Sequence, residues 1–213
     1  MKIIESWALP DADNYLIQKL FGGTCYQRDH LDRAMKYVNL HRLAVDGGAH
    51  IGTWTRQLSK WFDRVISFEP SRESFECLAY NVSGQHNIDL RNQALGKEPG
   101  RVRMTMEGYD HAIKNGNTMA MFVAEGDDVD RIMLDSLNLD DLDFLKLDVE
   151  GSEVDALLGA KETLLRCKPV VLFEDKDHFG RYGYGKEAPS DLLKSLGATW
   201  LCTAGCDQIW GWQ

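Results

Sequence analysis

The sequence has no long apolar run, no basic cluster and no paired cysteine motif, and each absence removes a class of protein. No stretch approaches the roughly 18 apolar residues that a membrane helix needs. The N-terminus, MKIIESWALPDADNY, is broken by Glu5, Pro10 and further acidic or amide residues, so neither a signal peptide nor a membrane span is expected. Lys and Arg number 24 against 33 Asp and Glu, a net charge of −9, and they form no run. Binding phosphates needs clustered cations, so no nucleic-acid partner is expected. The five cysteines, Cys25, Cys77, Cys167, Cys202 and Cys206, are odd in number and scattered, with no C-x-x-C pair. Reduced thiols are expected, with no metal and no disulfide framework. Cys202 and Cys206 alone are close, in a turn between two expected strands. A soluble, cytoplasmic protein follows, and a homo-oligomer is compatible with it.

What is present is ordinary globular material. Apolar residues make up 44% of 213, enough for one domain to bury a sheet and two helix layers without staples. From about residue 30 onward, strand and helix patterns alternate. RLAVD (42–46) reads as a buried strand, followed by a glycine turn and a helix through TWTRQLSKWF. RVISFEP (64–70) is a second strand, with Ser71 as helix N-cap for SRESFECLAYNV. NIDLRNQAL (87–95) is a third strand, and RVRMTM with NTMAMFVA forms an inserted hairpin around the polar loop 107–116. DFLKLDVEG (143–151) is the fourth core strand, SEVDALLGAKETLLR a helix and PVVLFED (169–175) the fifth strand. A helix at 190–197 and two strands, ATWLCT and DQIWGW, close the chain. Repeated βα units demand a mainly parallel sheet with helices on both faces, and the last pair supplies an antiparallel edge. Residues 1–40 are expected as a helical or irregular segment covering a domain of 41–213, with LDRAMKYV (31–38) its helix.

In such sheets ligands bind at the carboxyl ends of the strands. The first turn there is Asp46-Gly47-Gly48-Ala49-His50-Ile51-Gly52, whose glycines let a backbone pass close beneath a ligand. Glu69, seventeen residues past Gly52, ends the second strand, where an acidic side chain can accept both ribose hydroxyls of an adenosine. A G-x-G-x-x-G reading from Gly47 puts Ala49 where a pyrophosphate needs glycine, which disfavours a dinucleotide. Asp46 heading the loop suits an ammonium better than a pyrophosphate.

The segments VDGGAHIGTWT, SFEP, NQALG, LDSL and FLKLDVEGSEVDALLGA, in that order, resemble the FkbM-type methyltransferases over residues 43 to about 175. The last is the most specific, through Asp148, Glu150, Gly151 and Glu153. The resemblance implies an α/β class I methyltransferase (Rossmann-like) fold with a mainly parallel seven-stranded sheet, S-adenosyl-L-methionine as cofactor, and O-methylation of a hydroxyl on a sugar, glycan or small natural-product acceptor. It also implies that Asp46, Gly47, Gly48, Ala49, His50 and Gly52 hold the methionine moiety and Glu69 the ribose. Gln93 and Ala94 would border the adenine, and Asp148 would face the transferred methyl. His50 departs from the family's usual Asn.

A hydroxyl acceptor calls for a base. Asp148, Glu150, Glu174 and His178 are candidates because each lies at or after a strand's carboxyl end. Glu153 is expected to start a helix, where negative charge is favourable. The loops 110–121 and 181–187 are positioned for acceptor contacts. An NAD-dependent oxidoreductase and a non-catalytic S-adenosylmethionine-binding protein are the alternatives.

Overall fold

The run LAVDG is buried on both faces and forms an inner strand of the main sheet, as a parallel strand sandwiched between helix layers must be. The structure, a computed structural model, describes residues 1–212 except 15, 18, 19, 21–26, 109, 115 and 177; the side chain of residue 111 is also outside the description. The chain begins with β1 (Lys2–Ile4) and β2 (Trp7–Leu9), an antiparallel hairpin. Then come β3 (Leu43–Gly47), β4 (Arg64–Phe68), β5 (Ile88–Arg91), β6 (Ala94–Leu95) and β7 (Gly100–Thr105). They are followed by β8 (Phe122–Glu125), β9 (Val129–Ile132), β10 (Leu142–Leu147), β11 (Val170–Glu174), β12 (Thr199–Ala204) and β13 (Asp207–Gly211).

Seven of these form the main sheet in the order β12-β13-β11-β10-β3-β4-β5. From β5 to β11 all neighbours run parallel; β13 pairs antiparallel with β11, and β12 with β13. The expected mainly parallel sheet with an antiparallel edge is therefore present. One face is covered by the helix Arg28–Ala34 and by Trp54, Leu58 and Phe62, which pack on Ala44, Val65 and Phe144. Thus the helix read near 31–38 begins earlier and covers the sheet. Val154, Leu157, Leu164 and Leu193 cover the other face.

Three expectations need correction. The strand read as 87–95 is two: Asn92 interrupts it by donating from Nδ2 to the carbonyls of Glu69 (2.8 Å) and Pro70 (3.1 Å). β6 then leaves the main sheet for a second one, ordered β6-β9-β7-β8, in which β7 and β8 are the expected hairpin. The helix read through SEVDALLGAKETLLR breaks into Glu153–Leu158 and Lys161–Cys167. A Cβ on Gly159 would overlap the Gly96 carbonyl, and Asp135 caps the second helix by accepting from the N–H groups of Glu162 and Thr163. The N-terminal segment, read as helical or irregular, opens instead with the β1–β2 hairpin, whose Ala8 is held on both backbone groups by the side chain of Asn81.

Ser71 occupies the N-cap position of the helix Arg72–Asn81 but makes no side-chain cap. Of the cysteines, Cys77, Cys167, Cys202 and Cys206 are free, and Cys25 lies outside the described residues. No described helix is long and apolar enough to cross a membrane.

Candidate active site

The carboxyl ends of β3, β4 and β10 frame a cavity whose empty space, open mouth included, is about 620 Å³. Its floor is the loop after β3. Gly48 has φ +75°, and its N–H and that of Ala49 both donate to the Phe68 carbonyl, at 3.0 and 2.9 Å. A Cβ on Gly48 would overlap the carbonyl oxygen of Asp148, so the two strand ends touch there. His50 follows at φ +49°, in the left-handed region where His and Asn are both enriched, so either residue suits this backbone. Gly52, at φ +92°, starts the helix Thr53–Leu58 against Leu78.

The expected site residues divide by where they lie. Gly48, His50, Glu69, Gln93, Ala94, Asp148 and Glu150 line the cavity. Gly47, Ala49 and Gly52 are not among its lining residues: Ala49 packs on Leu78 and Val82, and Gly47 is buried beside Leu147. Asp46 is fully buried and also lies outside the lining; it accepts from Thr55 Oγ1 at 2.7 Å.

Glu69 lies on the cavity wall, its carboxylate fixed by the backbone N–H groups of His50 (2.7 Å) and Ser71 (2.8 Å). Each oxygen keeps a lone pair for a further donor. Burial raises its pKa to about 7, against the pull of those two hydrogen bonds. An adenosine's ribose hydroxyls would donate to the ionised form, so their binding here would release a proton. Affinity for an adenosine ligand is therefore expected to rise from pH 6 to pH 8 and then level off, which titration calorimetry at several pH values would measure; a flat profile would contradict it. By the same linkage, Glu69 stabilises the ligand-free fold most below about pH 4.5, and that contribution is lost as pH rises through about 7.

The roof comes from the second sheet and its loops, with Met104, Met119, Met121 and Val123 presenting an adaptable apolar surface. It is tied to the floor by a polar chain. His50 Nε2 lies 3.0 Å from Thr118 Oγ1, which donates to Asp13 Oδ2 at 2.5 Å, so Nε2 carries the proton. Burial lowers the His50 pKa to about 4, leaving the ring neutral near pH 7. Asp13 and Thr118 carry no local sequence signal, because they meet across a separation of 105 residues.

Beside the cavity, Glu174 and His178 come together with its lining residue Glu150, the potential ligand atoms of all three within 4.8 Å of one another. Lys176, which sequence reasoning missed, brings a cation of its own: Nζ lies 2.5 Å from Glu174 Oε1 and 3.9 Å from Glu150 Oε1. His178 Nδ1 is 3.4 Å from Glu150 Oε2. Burial opposes the charge on Lys176, but the carboxylates of Glu174, Glu150 and Asp148 outweigh it and raise its pKa. Glu153 points back into the loop, its Oε1 accepting from the N–H groups of Val149 (3.0 Å) and Gly151 (3.3 Å). Its carboxylate thus organises the DVEG turn, and burial raises its pKa to about 8.

A mainly parallel sheet with an antiparallel edge, a glycine loop after the inner strand β3 and an acid ending the neighbouring β4 define a class I methyltransferase fold of the Rossmann-like type. The family model of the FkbM methyltransferase domain matches residues 46–197, more than half of the chain. The chain belongs to this family, and its cofactor is S-adenosylmethionine. Among solved structures it is similar to the FkbM methyltransferase of Methylobacillus flagellatus KT, at 18% identity and a TM-score of 0.52 over 81% of this chain. The chain spans 44% of that protein's length. A precorrin 8w decarboxylase from Methanobacterium thermoautotrophicum is similar in fold over 99% of this chain and 98% of its own, at 14% identity and a TM-score of 0.52. No curated protein matches.

Proposed function

We propose that this protein transfers a methyl group from S-adenosylmethionine to a hydroxyl of a sugar or other small natural-product acceptor. The observation that carries this reading is the junction of the cofactor cavity with a proton-accepting cluster: Asp148 and Glu150 line the cavity, and Glu150 in turn meets Lys176 and His178. The cofactor, when bound, supplies a methyl group activated on a positively charged sulfur. Glu69 would take its ribose hydroxyls, and Gln93 and Ala94 would border the adenine beneath Met104 and Met121. The Gly48–His50 loop would hold its methionine end, and Asp148 would face the transferred methyl. Gly47, Ala49 and Gly52 would serve through the shape of the loop.

Methyl transfer of this kind needs alignment and removal of one proton. Asp148 is the favoured base, because its carboxylate is 17% exposed beside the loop that holds the cofactor. Glu150, Glu174 and His178 lie behind it as a cluster to which a proton can pass. Burial and the carboxylates of Asp148 and Glu150 push the Glu174 pKa up, while Lys176 opposes this; the cluster therefore binds a proton more readily than isolated carboxylates would. The loops 110–121 and 181–187 would contact the acceptor. A cytoplasmic location belongs to the same reading, supported by the four free thiols.

Asp148→Asn is expected to lower turnover on the order of 100-fold, the typical share of a general base, while affinity for S-adenosylhomocysteine changes little. Turnover and calorimetry on one preparation measure both. The acceptor class is tested by incubating sugar-containing compounds with methyl-labelled cofactor. Label on a hydroxyl oxygen is the expected result; label only on nitrogen or carbon would overturn the assignment.

A further inference from the structure

Lys146 is a cation near the carboxyl end of a buried strand, 2% exposed, where its cross-strand partner in the sheet register is Asp46. An ion pair there is expensive, since both charges leave water, and an apolar pair of similar volume often stabilises a core as well or better. The surroundings of Nζ show what the charge does. It donates to the carbonyls of Gly48 (2.8 Å) and Gly47 (3.3 Å), and lies 3.1 Å from Asp46 Oδ1 as an ion pair without a well-directed hydrogen bond. Asp148 Oδ2 is 4.0 Å away. Two loop carbonyls thus accept hydrogen bonds from the ammonium, and the Asp46 carboxylate balances its charge. The other oxygen of Asp46 takes the Thr55 hydroxyl. Burial opposes the ammonium charge, yet Asp46 and Asp148 together hold the Lys146 pKa above its ordinary value.

We infer that Lys146 is the positioning residue of the cofactor loop: it ties the Gly47 and Gly48 carbonyls to β10 and cancels the charge of Asp46. Asp148 is left as the negative group facing the cationic methionine end of the cofactor. The inference rests on the cofactor reading of the cavity. It also moves Asp46 from ligand to framework, because a carboxylate shared between Lys146 and Thr55, outside the cavity wall, is not offered to an ammonium in the cavity.

S-adenosylmethionine carries a sulfonium charge that S-adenosylhomocysteine lacks, so the ratio of their affinities reads the local charge. A purely structural role would scale both affinities alike. Calorimetry with both ligands on Lys146→Met, Asp46→Asn and the double variant, with melting temperatures recorded, tests the inference. Removing one partner of a buried pair strands the other charge, so Lys146→Met is expected to weaken both ligands on the order of 10- to 100-fold. It should also shift the ratio toward S-adenosylmethionine by about 3- to 10-fold through its lost positive charge. Asp46→Asn should shift the ratio the opposite way with a smaller loss of affinity, and the double variant should restore both the ratio and most of the affinity. Should Lys146→Met fail to fold, Asp46→Asn and the double variant still report the ratio. An unchanged ratio in every variant, or a double variant as weak as the two single losses combined, would overturn the role of Lys146. Wild-type protein that binds neither ligand would instead overturn the cofactor reading beneath it.

Discussion

Gly48→Ala is expected to abolish cofactor binding, with a loss beyond 100-fold. Two independent obstacles act at this position. The backbone sits at φ +75°, where a residue with a Cβ costs roughly 1–2 kcal/mol. The new methyl would also overlap the Asp148 carbonyl oxygen, which is main chain and cannot swing aside. Overpacking of that kind adds about 1–3 kcal/mol and is relieved only by moving the loop away from β10. Gly108→Ala separates strain from collision: its φ is +82° with nothing within 4 Å of the added atom. Calorimetry with S-adenosylhomocysteine should find binding lost in Gly48→Ala and kept in Gly108→Ala. Retained binding in Gly48→Ala would mean that the loop does not hold the ligand.

Glu69→Gln is expected to weaken cofactor binding roughly 10- to 100-fold, the range for losing charge-assisted hydrogen bonds. The substitution does more than remove a charge. The carboxylate accepts from the N–H groups of His50 and Ser71 with its two oxygens, and an amide must turn its NH2 toward one of those donors. The loop and the proposed ribose partner are therefore damaged together. The rise in affinity between pH 6 and pH 8 should vanish as well, because glutamine does not titrate. A variant that keeps the wild-type pH profile would assign that proton to another group and remove Glu69 from the ribose site.

Much of the framework was legible because it depends on local patterns. RLAVD followed by GGAHIG announces a strand and a glycine turn within a dozen residues, and Pro70 ends the second strand where Glu69 must stand. The alternating units then imply a parallel sheet by handedness and packing alone. What escaped was decided by contacts distant in sequence. Nothing local to Gly159 says that Gly96 packs against it, so its helix read as unbroken. Asn92 looks like one more strand residue until its side chain is seen bonded to the Glu69 and Pro70 carbonyls.

The site divides the same way. Glu69, Asp148 and Gly48 stand at strand ends, where position alone draws attention. Lys146 was missed because a single lysine amid FLKLD belongs to no motif or spacing, and only the fold shows its ammonium enclosed by Asp46 and the loop carbonyls. Asp46 was legible as an acid heading the loop, but its carboxylate turns inward to Thr55 and Lys146. Thr118 and Asp13, which link roof and floor through His50, come from the inserted segment and the N-terminal region. Burying a polar group without a partner is costly, and that cost draws such residues together; it leaves no mark on spacing.

The measurement that tests the account most directly is calorimetric titration of the intact protein with S-adenosylhomocysteine and, separately, with NAD. One molecule of S-adenosylhomocysteine bound per chain, with no heat from NAD, is the predicted result. Binding of NAD alone would contradict it.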